Sequence, residues 1–393
     1  MRHTKKLRLT LLLFLLLSFN LHAQDKTGNK FGKGIKIEAQ DSSFSMKFST
    51  RFQTLYEGTL NLEDNEWSDK LLVRRARLKF EGYAYSKKLE YKVELGLSNR
   101  DIGGEIAQNN NTANIILDAV LKYKFHPNWQ LWFGQTKLPG NRERVISSQK
   151  LQFVDRSLVN SRFNIDRDLG VQLHHKGKLG NGILKQAIAM SMGEGRNITS
   201  NNVGGYSYTA RVEYLPFGDF TSKGDYFGSD LKREEKPKLS IGATYNFNDG
   251  AGRQGGQLKS FVTDTNGDQI INDLSTIFID AMFKYQGFSI MSEYANKTAS
   301  KDVDASNKFN TGTGLVFQAG YLLKSNLEIA GRYTQITPDN TTFSGLKEET
   351  EYTLGFSKYF VGHSLKIQTD ASFVDILNND NIFRYRFQVE LSF

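Results

Sequence analysis

The sequence predicts an all-β chain: one closed transmembrane antiparallel β-barrel of about 16 strands, with long external loops and short periplasmic turns. Three observations lead there. Polar and apolar residues alternate with period two in segment after segment, up to the last residue. The connections between those segments alternate long and short. After residue 23, no apolar run approaches the roughly 18 residues of a spanning helix. A mean hydropathy of −0.47 is compatible with a membrane protein only if strands do the crossing, since half their residues face inward and are polar.

The chain opens with "MRHTKKLRLTLLLFLLLSFNLHAQ". Arg2, Lys5, Lys6 and Arg8 precede an apolar run from Leu9 to Phe19, and Leu21-His22-Ala23 ends in a small residue. This is the pattern of a cleaved secretory signal, residues 1–23, with a run too short to span. Loss of its four cations lowers the formal charge from +9 to +5, a mild excess for an exported chain that does not meet nucleic acid. The absence of cysteine excludes disulfides, thiolate catalysis, zinc–thiolate sites and a lipidated N-terminus. Residues 24–42 read as a short periplasmic lead, and 43–393 as the barrel.

The strands follow in order. In "FSMKFSTRFQTLY", Phe44, Met46, Phe48, Phe52 and Tyr56 alternate with Ser45, Lys47, Ser49, Arg51 and Gln53. "RRARLKFEG" sets Ala76, Leu78 and Phe80 against Arg75, Arg77, Lys79 and Glu81. "KLEYKVELGL" and "LDAVLKYKF" repeat the scheme, as do "KLSIGATYNF", "IFIDAMFKY", "GLVFQAGYLL", "LEIAGRYT", "YTLGFSKYF" and "SLKIQTDASF". The expected spans are 43–56, 71–83, 87–98, 114–125, 128–138, 167–177, 183–192, 206–215, 238–247, 275–285, 287–296, 312–323, 326–336, 350–360, 363–374 and 383–393. The last, "FRYRFQVELSF", must pair with the first to abolish the sheet edge. Its terminal aromatic, Phe393, resembles the assembly signal of bacterial outer-membrane proteins, which places the outer-membrane assembly machinery and lipid among the partners.

Short connections ("YAYSK", "HPN", "KSN", "VGH") alternate with longer ones at 57–70, 99–113, 139–166, 193–205, 248–274, 297–311 and 337–349. One breaks the rule: 216–237, "PFGDFTSKGDYFGSDLKREEKP", is long on the short-turn side. A soluble sandwich would also alternate, but it buries large aliphatics. Here the apolar face mixes Tyr, Phe and Ala, and aromatics such as Trp129, Trp132, Tyr123, Phe125, Tyr359 and Phe360 gather near strand ends like interfacial girdles.

The stretch "LWFGQTKLPGNRERVISSQKLQFVDRSLVNSRFNIDRDLGVQLHHKG" carries a family resemblance. "FGQTKLP" at 133–139, Arg142-Glu143, Ser147-Ser148, "FVDRS" at 153–157 and "RDLGVQ" at 167–172 resemble the phosphate-selective porin O and P family. "VRRARLKFEG" at 73–82 and "RVEYLPFGDF" followed by "GDYFGSDL" fit as well, and the latter makes the long 216–237 turn a family feature. The resemblance implies a 16-stranded outer-membrane barrel, usually a homotrimer, that passes small anionic solutes, and a 139–166 loop that folds inward. Phosphate binders of the family line their constriction with several lysines. This loop has Lys137 and Lys150 beside it but favours arginine.

Strand parity sends Lys47, Arg51, Arg75, Arg77, Lys79, Lys122, Lys124, Lys176, Arg211, Arg332, Arg384 and Arg386 inward, along with acids including Glu81, Glu94, Asp118, Glu213, Asp280, Glu293 and Asp370. The inward loop adds Arg142, Arg144, Lys150, Arg156 and Arg162. Two readings stand side by side. Either Arg142, Arg144 and Arg156, with Arg75 and Arg77 on the facing wall, set anion preference, or they pair with Glu143 and Asp155 and pin the loop.

"DTNGDQIIND" resembles a calcium loop through Asp264, Asn266, Asp268 and Asn272, but Gln269 replaces its glycine and Ser275 its bidentate Glu, so an Asx-rich loop competes with structural Ca²⁺. No other cofactor is expected. His174 and His175 point to opposite faces, and no partnered serine suggests an enzyme. A barrel that captures a ligand or partner through its long loops, with no open lumen, is the alternative to a channel.

Overall fold

A computed structural model of the protein describes residues 30–102, 114–199, 202, 204–264, 266–301, 308–339 and 346–393. The expected signal segment, residues 1–23, lies outside them. Residues Phe31–Phe393 form one unit. A short β1 (Ile35–Glu38) precedes sixteen long strands: β2 (Phe44–Asn61), β3 (Glu66–Ala84), β4 (Ser86–Gly96), β5 (Ile116–His126), β6 (Trp129–Lys137), β7 (Arg167–Leu179), β8 (Gly182–Ser191), β9 (Ser207–Leu215), β10 (Lys238–Ala251), β11 (Asn272–Tyr285), β12 (Phe288–Ala299), β13 (Gly312–Leu322), β14 (Leu327–Pro338), β15 (Glu349–Tyr359), β16 (Leu365–Ile376) and β17 (Ile382–Ser392). Short helices α1 (Asn99–Ile102), α2 (Arg142–Val145) and α3 (Leu158–Phe163) lie in the loops.

Each long strand pairs antiparallel with its sequence neighbour, and β17 returns to β2, so the sheet closes. Closure leaves no open edge for lipid to face, as a bilayer requires. At the end of β17 the backbone of Phe393 exchanges two hydrogen bonds with Thr50, at 2.8 and 3.0 Å. The terminal stripe behaves as its alternation demands. Phe383, Tyr385, Phe387 and Phe393 are exposed to the outside, while Arg386, Gln388 and Glu390 are buried within.

Beyond Phe393, β1 continues the seam: Ile35 lies opposite Phe48 and Ile37 opposite Met46, on the lipid-facing parity. Alternation alone leaves these residues in the lead, because four alternating residues cannot be told from loop by period.

Two further departures are local. Residues 57–70 are not a long loop. β2 and β3 run on for 18 and 19 residues and meet in a tight turn, where the Asn61 carboxamide oxygen accepts from the backbone of Glu63 and Asp64. Their polar composition hides the strand, since alternation cannot be read where both faces carry polar residues. In β3 a bulge pairs Gln53 with Arg75 but Thr54 with Val73, leaving Arg74 over. The extra residue reverses the parity, so Leu71 and Val73 face out above the bulge and Arg74 and Arg75 both turn in.

The lumen contains its own apolar core. Val159 and Phe163 of α3 pack with Leu138 and Ile165 against Phe278, Ala295, Val316 and Ile336 of β11 to β14. A second cluster joins Ile146 and Leu151 of the 139–166 loop to Leu215, Phe220, Met282 and Met291. The loop therefore folds into the barrel, stapled to the β11–β14 wall.

Candidate functional site: a basic constriction beside the β2–β5 wall

Polar contacts complete the loop's attachment. The Asn141 carboxamide donates to Glu293 at 2.9 Å, Gln152 to Glu328 at 2.7 Å, and the Val154 backbone to Asp370 at 3.0 Å. Arg162 pairs with Glu349 at 2.7 Å. The wall makes room for the loop tip: a Cβ on Gly355 would come 2.8 Å from the Phe153 ring, and one on Gly314 2.8 Å from Phe163. The 216–237 connection folds inward from the opposite side. Lys284 donates to the carbonyls of Gly224, Phe227 and Ser229 at 2.9, 2.9 and 2.7 Å, and the Gly228 N–H meets the Lys150 carbonyl at 2.8 Å.

With the β11–β14 side filled, space remains along β3, β4 and β6. A cavity of about 140 Å³ lies there between the wall and the loop. It is lined by Arg77, Lys92, Lys137, Arg144, Arg156 and Arg167, by Ser147 and Ser148, and by the single acid Glu94. The balancing acids stand behind the cations. Asp101 pairs with Arg77 at 2.6 Å, Asp118 with Lys92 at 2.9 Å and Arg167 at 3.1 Å, and Asp166 with Arg144. The Asp118 side chain is 1% exposed against 24% for Lys92, so the open surface is positive although the shell is nearly neutral. Lys137 and Arg156 also hold the loop's shape: Lys137 donates to the Arg144 carbonyl at 2.6 Å, and Arg156 to those of Glu143 and Ile146 at 2.9 and 2.7 Å. Crowded cations in a buried place repel one another. Burial first, then Arg144, pushes Arg156 down to about 9, so it is still charged at neutral pH.

Above the cavity, Asp155 meets Arg74 at 2.6 Å and Arg75 at 3.5 Å. Burial alone would raise the Asp155 carboxyl, but these two guanidiniums outweigh it and hold it well below the usual range. Arg75 also bonds Gln53 at 2.7 Å, and Arg332 donates to the Asp155 carbonyl. Below the cavity, Lys79 and Lys47 share Glu81 at 3.0 and 3.3 Å. Lys150 rests on the Phe227 ring, 3.8 Å from its centroid.

The expected site residues thus divide. Arg77, Arg144 and Arg156 come together on the cavity, with Arg75 above and Lys79 and Lys150 below. Arg142 does not line it. Its side chain is fully buried, 2.5 Å from Asp280 and 2.8 Å from Ser240, and pins the loop to the far wall. Arg162 is likewise paired with Glu349, away from the opening. Lys122 covers the face of Trp132 at 3.7 Å, and Lys124 is exposed near the periplasmic end of β5. Trp132 is therefore no girdle residue: it faces inward between Lys122 and His174, whose ring centroid is 4.0 Å away. Sequence reading passed over Lys92 and Arg167, legible from parity, and Arg74, which only the bulge brings inward. In the 264–272 loop, Asp264 accepts from the backbones of Asn266 and Asp268, as an Asx turn does, while Asn272 sits in β11 and donates to the Lys301 carbonyl. Among the described residues no group of three or more His, Cys, Asp or Glu converges as a metal site.

Comparison with known proteins agrees with this architecture. An uncharacterized protein of Aquifex aeolicus (strain VF5) is 23% identical over 379 residues, 88% of this chain and 87% of that protein. The anion-selective porin from Comamonas acidovorans superposes with a TM-score of 0.58 at 11% identity, over 89% of this chain and all of that one. In-vitro folded OmpT of Vibrio cholerae, in its trimer form, superposes with a TM-score of 0.52 at 11% identity, over 88% of this chain and 99% of that one. These likenesses carry the fold of outer-membrane porins. The model of the phosphate-selective porin O and P family matches residues 47–381, nearly the whole barrel, and the chain belongs to that family.

Proposed function

We propose that this outer-membrane channel passes small anions in preference to cations, through the cavity between the β3–β4 wall and the 139–166 loop. The observation that carries the reading is the arrangement of charge: six cations face the cavity and one acid does, with the neutralising carboxylates set behind. In a narrow passage with little water, charges at the surface act at low effective dielectric and dominate those of the wide mouths. The family's description and the anion-selective neighbour point the same way. We read the chain as a channel and not an enzyme. It is exported by a signal cleaved after Ala23 and assembled as a homotrimer, the form in which one neighbour is described.

The test is reconstitution of folded wild-type protein in a planar bilayer under a potassium chloride gradient. Discrete channels with a reversal potential toward that of chloride support the reading. A reversal potential at zero or toward potassium overturns the anion preference. The inward loop and the 216–237 segment fill much of the lumen, so an absence of channels would favour a barrel that binds without conducting.

A further inference from the structure

The two inward segments meet at one joint, and its chemistry differs from the rest of the loop's anchorage. Three of the loop's other cations are met by carboxylates, Arg142 by Asp280, Arg144 by Asp166 and Arg162 by Glu349, while Arg156 donates to the carbonyls of Glu143 and Ile146. Those pairs fix position, and the fully buried Arg142–Asp280 pair cancels charge as well. Lys150 is different. Among the described residues no carboxylate lies within ion-pair distance of its ammonium. The group sits over the Phe227 ring, 3.8 Å from the centroid. A ring face attracts a cation through its quadrupole, so it holds the ammonium in place without a carboxylate in contact to neutralise it.

Phe227 is itself held firmly. Its carbonyl and those of Gly224 and Ser229 accept from Lys284, which is buried. Its ring lies 5.4 Å from that of His363. The next residue, Gly228, donates to the Lys150 carbonyl at 2.8 Å and passes so close to the loop that a Cβ there would come 2.7 Å from the Gln152 nitrogen. Phe220 of the same segment shares an apolar cluster with Ile146 and Leu151. The joint is thus built from backbone, ring and apolar contact together.

We propose that Phe227, on the periplasmic 216–237 segment, is a positioning residue for ion selection: it seats Lys150 below the cavity, on the approach to it, as a cation with no carboxylate in contact. This rests on the anion-preferring reading above. It gives the anomalous long turn a role: it is the seat for a charge on the external loop.

The experiment measures reversal potential in a potassium chloride gradient for a set of variants that run as folded barrels on unboiled gels. Lys150→Met should lower the anion-to-cation permeability ratio about twofold or more. Phe227→Ala and Phe227→Leu should lower it by a comparable factor, the latter keeping bulk but losing the ring face, while Phe227→Tyr should keep the wild-type ratio. In a Lys150→Met background, Phe227→Ala should add nothing, because both act through one charge. Wild-type ratios in Phe227→Ala and Phe227→Leu, or a further fall in the double variant, would overturn the proposal while leaving the channel's anion preference standing. A wild type without anion preference would overturn both.

Discussion

The Arg142 guanidinium lies 2.5 Å from Asp280 on the far wall, and both side chains are fully buried. Arg211 shares the same aspartate at 2.7 Å, and Glu213 lies 3.4 Å from Arg142. A charge so enclosed and so paired contributes little field to an open path. Its work is to pin the loop. Breaking a buried pair of this kind costs about 3–5 kcal/mol, chiefly through the charges left behind. Arg142→Ala should therefore lower the temperature at which the folded band is lost on gels, and should make channel currents larger and noisier as the loop loosens. A variant with wild-type thermal stability and quiet, unchanged currents would show the pin is dispensable.

The loop tip can be displaced from the wall side. Gly355→Val would put methyl groups into the Phe153 ring, since even a Cβ comes within 2.8 Å of it. Single-channel conductance should change, because the ring has to move and carries the loop with it. Gly331→Ala is the matched control: nothing lies within 4 Å of the added carbon, so its conductance should stay at the wild-type value.

Selectivity should depend on pH through Lys150. Burial first, and then Lys79, pulls its ammonium down to about 8, with Lys223, Glu81 and Lys47 acting on it more weakly. A lysine is charged below that value and neutral above it. Anion preference should hold from pH 6 to 7 and fall as pH rises through 8 to 9. Lys150→Met should start from the lower ratio and lack that component of the fall. Reversal potentials recorded across this range check it; a wild-type profile flat to pH 9 would contradict it.

The seam below Phe393 supplies a stability test. β1 gives β2 a partner for residues 45 to 48, where β17 has already ended. Ile35→Asp/Ile37→Asp should put charge on the lipid-facing parity and lower the melting of the folded band by about 3 °C or more. Since the protein has no cysteine, an Ile37→Cys/Met46→Cys pair should crosslink cleanly if the register is right. Failure to crosslink under oxidation, with unaltered melting of the aspartate variant, would remove β1 from the seam.

Most of the barrel was legible because parity is a local property. Strands such as β13 and β17 show one apolar and one polar face, and closure followed from the terminal stripe. What escaped the sequence was set by contact. Arg74 cannot be assigned inward by alternation, since the bulge that turns it exists only in the pairing of β2 with β3. Arg142, Arg144, Arg156 and Arg162 look alike in the loop, and only the fold separates the two that line the cavity from those whose carboxylates stand on β11 and β15. The inward path of 216–237 left a trace in its length. Its anchor, the buried Lys284, reads in the sequence as an ordinary strand-end lysine.

The most direct test of the account is the reversal potential of Lys92→Gln/Arg156→Gln, measured beside wild type in the same potassium chloride gradient. These residues bring two of the six cations to the cavity, one from the wall and one from the loop. Four cations, Arg77, Lys137, Arg144 and Arg167, then remain against Glu94, so the positive surface should weaken. The reversal potential should move measurably from the chloride side toward zero, with the barrel still folded. A folded variant that keeps the wild-type anion preference would contradict it, and would place the selectivity of this porin elsewhere.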